Sequence, residues 1–232
     1  MTAQGLFAAT RRRATVDPDQ INLIEGLPTT KKAQKPRRAA DFYPTAEPEA
    51  IRALLAVDGD RIRRCYNVWE PACGQGHLVS IIRASGIKCS ASDLHMRGCP
   101  DAWQADYYSC VRSRGEAIIT NPPFNEITAR DGHGRWLKHT LAMPGWTYCA
   151  LLLDWNWPAG RINGLGELLD RQPFTRAYLL RWKLDFTGEG QAPQRNAWFV
   201  WDREDPRSMD GTLAEPGFRL IDRVDERQGG LI

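Results

Sequence analysis

The 232-residue chain has no stretch of about eighteen uncharged apolar residues, the length a helix needs to cross a bilayer. Its longest oily run, residues 148–153, has room only for a buried strand, so no membrane partner is expected. The six cysteines, at 65, 73, 89, 99, 110 and 149, include no CxxC pair, and the opening residues lack the apolar core of a secretory signal. A disulfide scaffold is therefore not expected, and a reducing, cytoplasmic compartment fits the composition. The histidines His77, His95, His133 and His139 form neither HExxH nor a Cys/His ligand spacing, which excludes the usual zinc signatures; no metal is expected. No internal repeat or low-complexity tract is found. What is present, 42% apolar and 25% charged residues, is ordinary for one globular domain with a tail.

Charge is distributed unevenly. The formal total is +3, but residues 1–40 hold eight Lys or Arg against Asp17, Asp19 and Glu25, which leaves the remainder at about −2. With little helical or strand periodicity, this leader reads as a basic flexible arm, suited either to tracking phosphates or to plain solubilisation. Its first sixteen residues, Arg-bearing and free of acid, also have the character of an organelle transit segment.

From residue 41 onward, strand-like and helix-like segments alternate with short turn-rich joins, which predicts the α/β class: a Rossmann-like, mostly parallel sheet with helices on both faces. Pro48 opens a helix expected to stop near Gly59. A strand at 67–69 runs into Glu70-Pro71-Ala72-Cys73-Gly74-Gln75-Gly76, and a helix over 77–84 follows, ended by Gly86. Strands are expected at 87–91, with Asp93 beyond its end, at 102–104 before Asp106, and at 116–120. The last is broken by Asn121-Pro122-Pro123-Phe124, because proline cannot donate to a sheet ladder. Further strands at 147–153, 176–184 and 197–201 flank a helix around 164–170.

In an open α/β sheet, ligands collect at the carboxyl ends of the strands, and Glu70, Asp93, Asp106 and Asn121 all follow predicted strands. Taken singly, each acid reads as a helix cap or a solvent-facing group; jointly they read as one rim. Gly74 and Gly76 remove side-chain bulk, but the third glycine of a dinucleotide fingerprint is absent, since Val79 stands there. An acidic residue also stands where a pyrophosphate would be repelled. The acids favour a cationic, hydroxyl-rich ligand, and S-adenosylmethionine fits: its ammonium suits a carboxylate, its ribose hydroxyls can donate to Asp93, and its adenine amino group can donate near Asp106.

The tetrad Asn121 to Phe124 carries the acceptor chemistry. An amine attached to an aromatic ring is a poor nucleophile because its lone pair is delocalised. Accepting both amino hydrogens, through the Asn121 side-chain oxygen and the Pro122 carbonyl, draws the nitrogen toward tetrahedral geometry and frees that pair without a strong base. Pro122 and Pro123 keep the backbone aimed, and Phe124 offers a face on which an extruded base can stack.

These motifs resemble the N6-adenine DNA methyltransferases whose cofactor motif precedes the catalytic one, including small phage and prophage members. Asp41-Phe42-Tyr43-Pro44-Thr45 is similar to their leading cofactor segment, the loop from Glu70 to Leu78 to their Gly-rich loop, Ser92-Asp93 to the ribose-binding end of the second strand, and Ala105-Asp106-Tyr107 to the adenine-binding segment. Asn196-Ala197-Trp198-Phe199-Val200-Trp201 is similar to their final strand. The resemblance covers residues 41–202, with 203–232 as a C-terminal extension, and Ala46 departs from the proline usual there. It implies about seven strands, the last antiparallel, and S-adenosylmethionine as cofactor. It assigns to that cofactor Phe42, Tyr43, Thr45, Glu70, Pro71, Cys73, Gly74, Gly76, Asp93, Leu94, Asp106 and Tyr107. Related enzymes with an Asn-Pro-Pro-aromatic tetrad methylate guanine N2 in ribosomal RNA or glutamine amides in proteins, so the tetrad leaves the acceptor open; residues 41–45 favour adenine in DNA. A silent nucleic-acid or cofactor-binding protein is the other alternative, and intact Asn121 speaks against it.

Target-reading candidates are basic or aromatic. His133, Arg135, Lys138 and His139 follow the tetrad in what reads as a flexible, Gly-containing segment, and Arg181, Lys183 and Arg195 bracket the turn-rich stretch 188–193. Trp155 and Trp157 follow the predicted fifth strand and so share its rim, while Trp198 and Trp201 read as packing. Each basic cluster reads equally well as a solvated face. With residues 41–202 assigned, no separate recognition domain fits, and readout of DNA is expected to be short or supplied by a homodimer or a separate specificity partner.

Overall fold

A computed structural model describes residues 48–128, 133–160, 164–185, 194–209 and 215–224. Phe42, Tyr43, Thr45, the basic arm and the stretch 188–193 lie outside the described residues. Pro48, with its fixed φ, leads into α1 (Glu49–Arg63). This helix does not stop near Gly59. A mid-helix glycine costs about 1 kcal/mol, but the next turn buries Ile62 completely and places Arg61 Nε 3.0 Å from Asp202 Oδ1, and those contacts carry the helix on to Arg63.

The chain then runs through β1 (Val68–Glu70), α2 (His77–Ala84), β2 (Cys89–Asp93), β3 (Trp103–Gln104) and β4 (Ala117–Thr120). It continues through α3 (Phe124–Ile127), α4 (Arg135–Ala142), β5 (Tyr148–Asp154), α5 (Leu165–Arg171), β6 (Arg176–Leu180), β7 (Asn196–Asp202), α6 (Pro206–Met209) and β8 (Gly217–Ile221). Among the described residues one sheet of eight strands results, in the order β3-β2-β1-β4-β5-β7-β6-β8. Neighbours are parallel except at β7, which runs antiparallel to both β5 and β6. The expected Rossmann-like architecture is therefore the observed one. The strand order turns back between β1 and β4, and the crevice beyond their carboxyl ends is the ligand position of such sheets.

Three local expectations are corrected. The sheet has an eighth strand: residues 217–221, in the stretch read as an extension, pair in parallel with β6 from Arg176↔Gly217 to Leu180↔Ile221. Strand β6 ends at Leu180, because its pairing with β7 stops at Leu179↔Ala197. Residues 135–142 form a helix and not a flexible segment, since Trp136, Leu137, Thr140 and Leu141 repeat at helical spacing and all bury against the sheet.

Alternation along the central strands divides the core between the two faces. Ala117 and Ile119 of β4, Tyr148, Ala150 and Leu152 of β5, and Trp198 and Val200 of β7 join α1 and α2 on one side. Ile118, Cys149, Leu151, Leu153, Phe199 and Trp201 join α4 and α5 on the other. Trp198 is fully buried and satisfies its indole by donating to the Ala50 carbonyl oxygen at 2.8 Å, which clamps the start of α1 to β7. At the end of the sheet opposite the crevice, the Asp58 carboxylate accepts from the Tyr148 hydroxyl at 2.9 Å, the Tyr178 hydroxyl at 2.8 Å and Arg176 Nε at 3.2 Å. Arg176 also pairs with Asp202 at 2.9 Å. Among the described residues no helix is long and apolar enough to cross a membrane, and no three His, Cys, Asp or Glu side chains converge on a metal position.

Candidate functional site

The crevice at the β1/β4 switch is a cleft of about 430 Å³, within the size range of small-molecule sites. One wall is the loop between β1 and α2. Its amides are held from behind: Cys73 N–H donates to the Ser92 carbonyl at 3.0 Å, and Gly76 N–H to the Cys73 carbonyl at 2.7 Å. Gly74 and Gly76 sit at φ +54° and +83°, which favours glycine. A Cβ on Gly76 would lie 2.6 Å from Cys99 Sγ, so this glycine backs the loop and does not line the cleft. Pro71, Cys73 and Gly74 do line it.

Asp93, the last residue of β2, braces this wall. Its Oδ2 accepts from Gly74 N–H at 2.8 Å and its Oδ1 from His95 N–H at 2.9 Å. Each carboxylate oxygen keeps a second lone pair, so the brace can still accept from a ligand hydroxyl. Leu94, 53% exposed, stands on the open side of the same wall.

Glu70 ends β1 at the floor. It is 2% exposed, its Oε2 is buried with no hydrogen-bond partner among the described residues, and burial together with the nearby Asp93 charge holds its carboxyl well above the usual carboxylate range. A buried carboxylate oxygen without a donor costs about 1–3 kcal/mol, so the position suits a cation or a donor.

The opposite wall follows β3 and β4. Asp106 is exposed and its Oδ1 caps the short turn Tyr107–Ser109 by accepting from Tyr108 N–H at 3.0 Å. Tyr107 is buried, with its hydroxyl 2.7 Å from Thr140 Oγ1 and its ring stacked on Trp136 at 4.2 Å between centroids. Both Asp106 and Tyr107 face the cleft. Beyond β4, Asn121, Pro122, Pro123 and Phe124 line it as well, and Phe124 packs partly buried between the two cores. Pro123 is extended (ψ 120°), which turns the chain out of the sheet and into α3.

Apart from Gly76, the described donor-side and tetrad residues of the sequence reading thus meet in one cleft. The other candidates do not all join them. Arg135 lines the cleft, whereas Lys138 is exposed on α4 away from its lining. Trp155 stacks on Phe199 at 6.1 Å and lies 5.2 Å from Phe218, outside the cleft lining. Trp157 donates from Nε1 to the Ile127 carbonyl at 3.2 Å and so pins α3. Arg181, Lys183 and Arg195 are exposed beyond the ends of β6 and β7; Arg181 pairs with Asp222 at 3.1 Å and Arg195 Nη1 donates to the Arg181 carbonyl at 3.5 Å. Sequence reasoning missed Tyr108, Glu126 and Trp136 on the cleft wall. Glu126, two residues after Phe124, was the available signal; Tyr108 and Trp136 become neighbours only through the fold.

Among the described residues, the sheet with one reversed strand and the crevice at the β1/β4 switch form a Rossmann-like α/β fold. Solved structures with this fold superpose on the chain. A proposed class I S-adenosylmethionine-dependent methyltransferase from Listeria monocytogenes matches with a TM-score of 0.54 at 10% identity, covering 79% of this chain and 67% of that one. A proposed RNA methyltransferase from Pyrococcus horikoshii gives 0.51 at 14% identity, covering 67% and 83%. A Thermoplasma acidophilum protein gives 0.50 at 14%, covering 72% and 92%. At these identities the likeness is one of fold. No family model matches the chain, and no curated protein matches it.

Proposed function

We propose that the chain is an S-adenosylmethionine-dependent methyltransferase that methylates the N6 amino group of adenine in DNA. The observation that carries the reading is the buried carboxylate oxygen of Glu70, without a hydrogen-bond partner among the described residues, on a residue that lines the same cleft as the Asn121 to Phe124 tetrad. An ammonium is the natural partner for that oxygen. Two further features fit the same cofactor: spare lone pairs on Asp93 beside the glycine turn suit a ribose diol, and the wall of Asp106 and Tyr107 suits a flat purine. Phe42, Tyr43 and Thr45 are assigned to the same cofactor by sequence resemblance. Bound there, S-adenosylmethionine supplies a methyl group made electrophilic by its sulfonium.

The remaining work falls to the tetrad. Asn121 accepts one amino hydrogen through its side-chain oxygen and the Pro122 carbonyl accepts the other, so the nitrogen lone pair is released from the ring. Attack is then direct displacement, the N–CH3 bond forming as the S–CH3 bond breaks and the methylated amine then losing one proton to solvent, with no covalent enzyme intermediate and no strong base. Pro122 and Pro123 fix the acceptor carbonyl, and Phe124 stacks the base. Extruding the base from a duplex costs a few kcal/mol, which stacking and these two hydrogen bonds offset.

Transfer of tritiated methyl groups from S-adenosylmethionine to DNA, ribosomal RNA and protein, run in parallel, tests the reading. Label at N6 of adenine in DNA is expected. Label on RNA guanine or on a protein glutamine would reassign the acceptor, and no transfer to any of them would overturn the enzymatic reading. The likeness to a protein described as an RNA methyltransferase makes the RNA arm worth equal care.

A further inference from the structure

At the mouth of the cleft three side chains from three different elements meet. Tyr108 stands on the turn after β3, Glu126 on α3 directly after the tetrad, and Arg135 at the start of α4. The Tyr108 hydroxyl donates to Glu126 Oε2 at 2.6 Å, which ties the wall after β3 to the helix that begins with Phe124. The Arg135 guanidinium carbon lies 3.7 Å from the centre of the Tyr108 ring, so the cation rests on the aromatic face. No carboxylate lies within ion-pair distance of Arg135 among the described residues, although Glu126 belongs to the same cluster. Its Oε2 is engaged by the tyrosine hydroxyl instead.

A guanidinium seated over an aromatic face keeps N–H donors to offer, and its planar fork matches two oxygens of one phosphate. Arg135 is exposed, lines the cleft that contains Asn121, and has no ion-pair partner among the described residues. We propose that Arg135, supported by the Tyr108 ring and kept from acid pairing by the Tyr108–Glu126 hydrogen bond, grips a phosphodiester of the acceptor DNA strand and so presents the extruded base to the tetrad. Arg135 is then a positioning residue, and Tyr108 and Glu126 hold it available. The assignment of the cleft to DNA rests on the function proposed above.

The test is binding of a fluorescein-labelled DNA duplex to the full chain with S-adenosylhomocysteine present, followed by anisotropy over a potassium chloride series. For Arg135→Ala, the slope of log affinity against log salt should fall by about 0.9, the loss of one phosphate contact, while affinity for S-adenosylhomocysteine by calorimetry stays within about twofold of wild type. Arg135→Lys should keep the slope and lose part of the affinity, because the charge remains but the fork does not. Tyr108→Phe should weaken duplex binding as Arg135→Ala does, because Glu126 is released to pair with Arg135; adding Glu126→Gln to it should restore binding. A merely structural role predicts no such rescue. An unchanged salt slope in Arg135→Ala, or a wild type that does not bind the duplex, overturns the proposal. An Arg135-dependent slope without adenine methylation would refute the function and leave the phosphate grip standing, whereas adenine methylation with an Arg135-independent slope would refute only the grip.

Discussion

Replacing Glu70 by glutamine should stabilise the free protein and weaken its binding of S-adenosylmethionine. In the free protein, Oε2 is buried without a partner among the described residues and Asp93 adds like-charge repulsion, so the ionised carboxylate is costly there. The amide removes the charge at almost constant shape, and about 1 kcal/mol of added stability is expected, or about 2–4 °C in Tm for a chain of this size. With the donor bound, the same charge makes a charge-assisted hydrogen bond of about 1.5–3 kcal/mol, so its loss should raise the Kd by about 10- to 150-fold. The pH dependence follows from the raised pKa. Because the folded value lies above the unfolded one, wild-type stability falls as pH rises from the ordinary carboxylate range through the folded pKa. Affinity for the ammonium moves the other way, rising with pH by at most about tenfold per unit and levelling off once Glu70 is ionised. Both trends should vanish in the variant. Calorimetric titration with S-adenosylmethionine and thermal melts over a pH series give the two readouts. A variant that binds the donor as well as wild type, or that melts lower, would refute the assignment of Glu70 to the ammonium.

Other perturbations separate the cleft from its scaffold. Asn121→Ala should keep S-adenosylmethionine binding and abolish turnover, to be seen as normal calorimetry beside no tritium transfer; near-normal rates would remove that side chain from the mechanism. Gly76→Ala should abolish donor binding and lower the Tm, because the new Cβ would meet Cys99 Sγ at 2.6 Å from a backbone already at φ +83°. Asp58→Ala should cost about 1–3 kcal/mol for each buried hydroxyl left without an acceptor in urea unfolding, since Tyr148 and Tyr178 lose their shared carboxylate while Arg176 keeps Asp202 and Asp205. Donor affinity of the folded fraction should not change, because that cluster sits at the far end of the sheet from the cleft.

Much of this molecule is legible along the chain because its local signals agree. The glycine turn between a short apolar strand and an amphipathic helix marks the β1–α2 crossing, and two prolines after Ala117–Thr120 mark where the chain leaves the sheet. Where two signals compete, the reading strays. Gly59 argues for a helix end, but the contacts of Ile62 and Arg61 outweigh one glycine. Gly134 before Arg135 suggests a loose segment, yet the apolar spacing from Trp136 to Leu141 forms a helix. Residues 217–221 carry too little buried surface of their own to announce a strand, and only the open edge of β6 recruits them. Gly115 looks like any turn glycine, while the fold brings Trp69 N within 2.6 Å of where its Cβ would stand.

The alternation of strands and helices from β1 to β7, the glycine turn and the tetrad depend on backbone preferences and periodicities that neighbouring residues set among themselves, and these the amino-acid sequence alone determined. Distances between residues far apart in the chain depend on how sheet and helices close on one another. Burial of Glu70 beside Asp93, the bond from Tyr108 to Glu126, and the seat of Arg135 on an aromatic ring were therefore decided only by the tertiary structure.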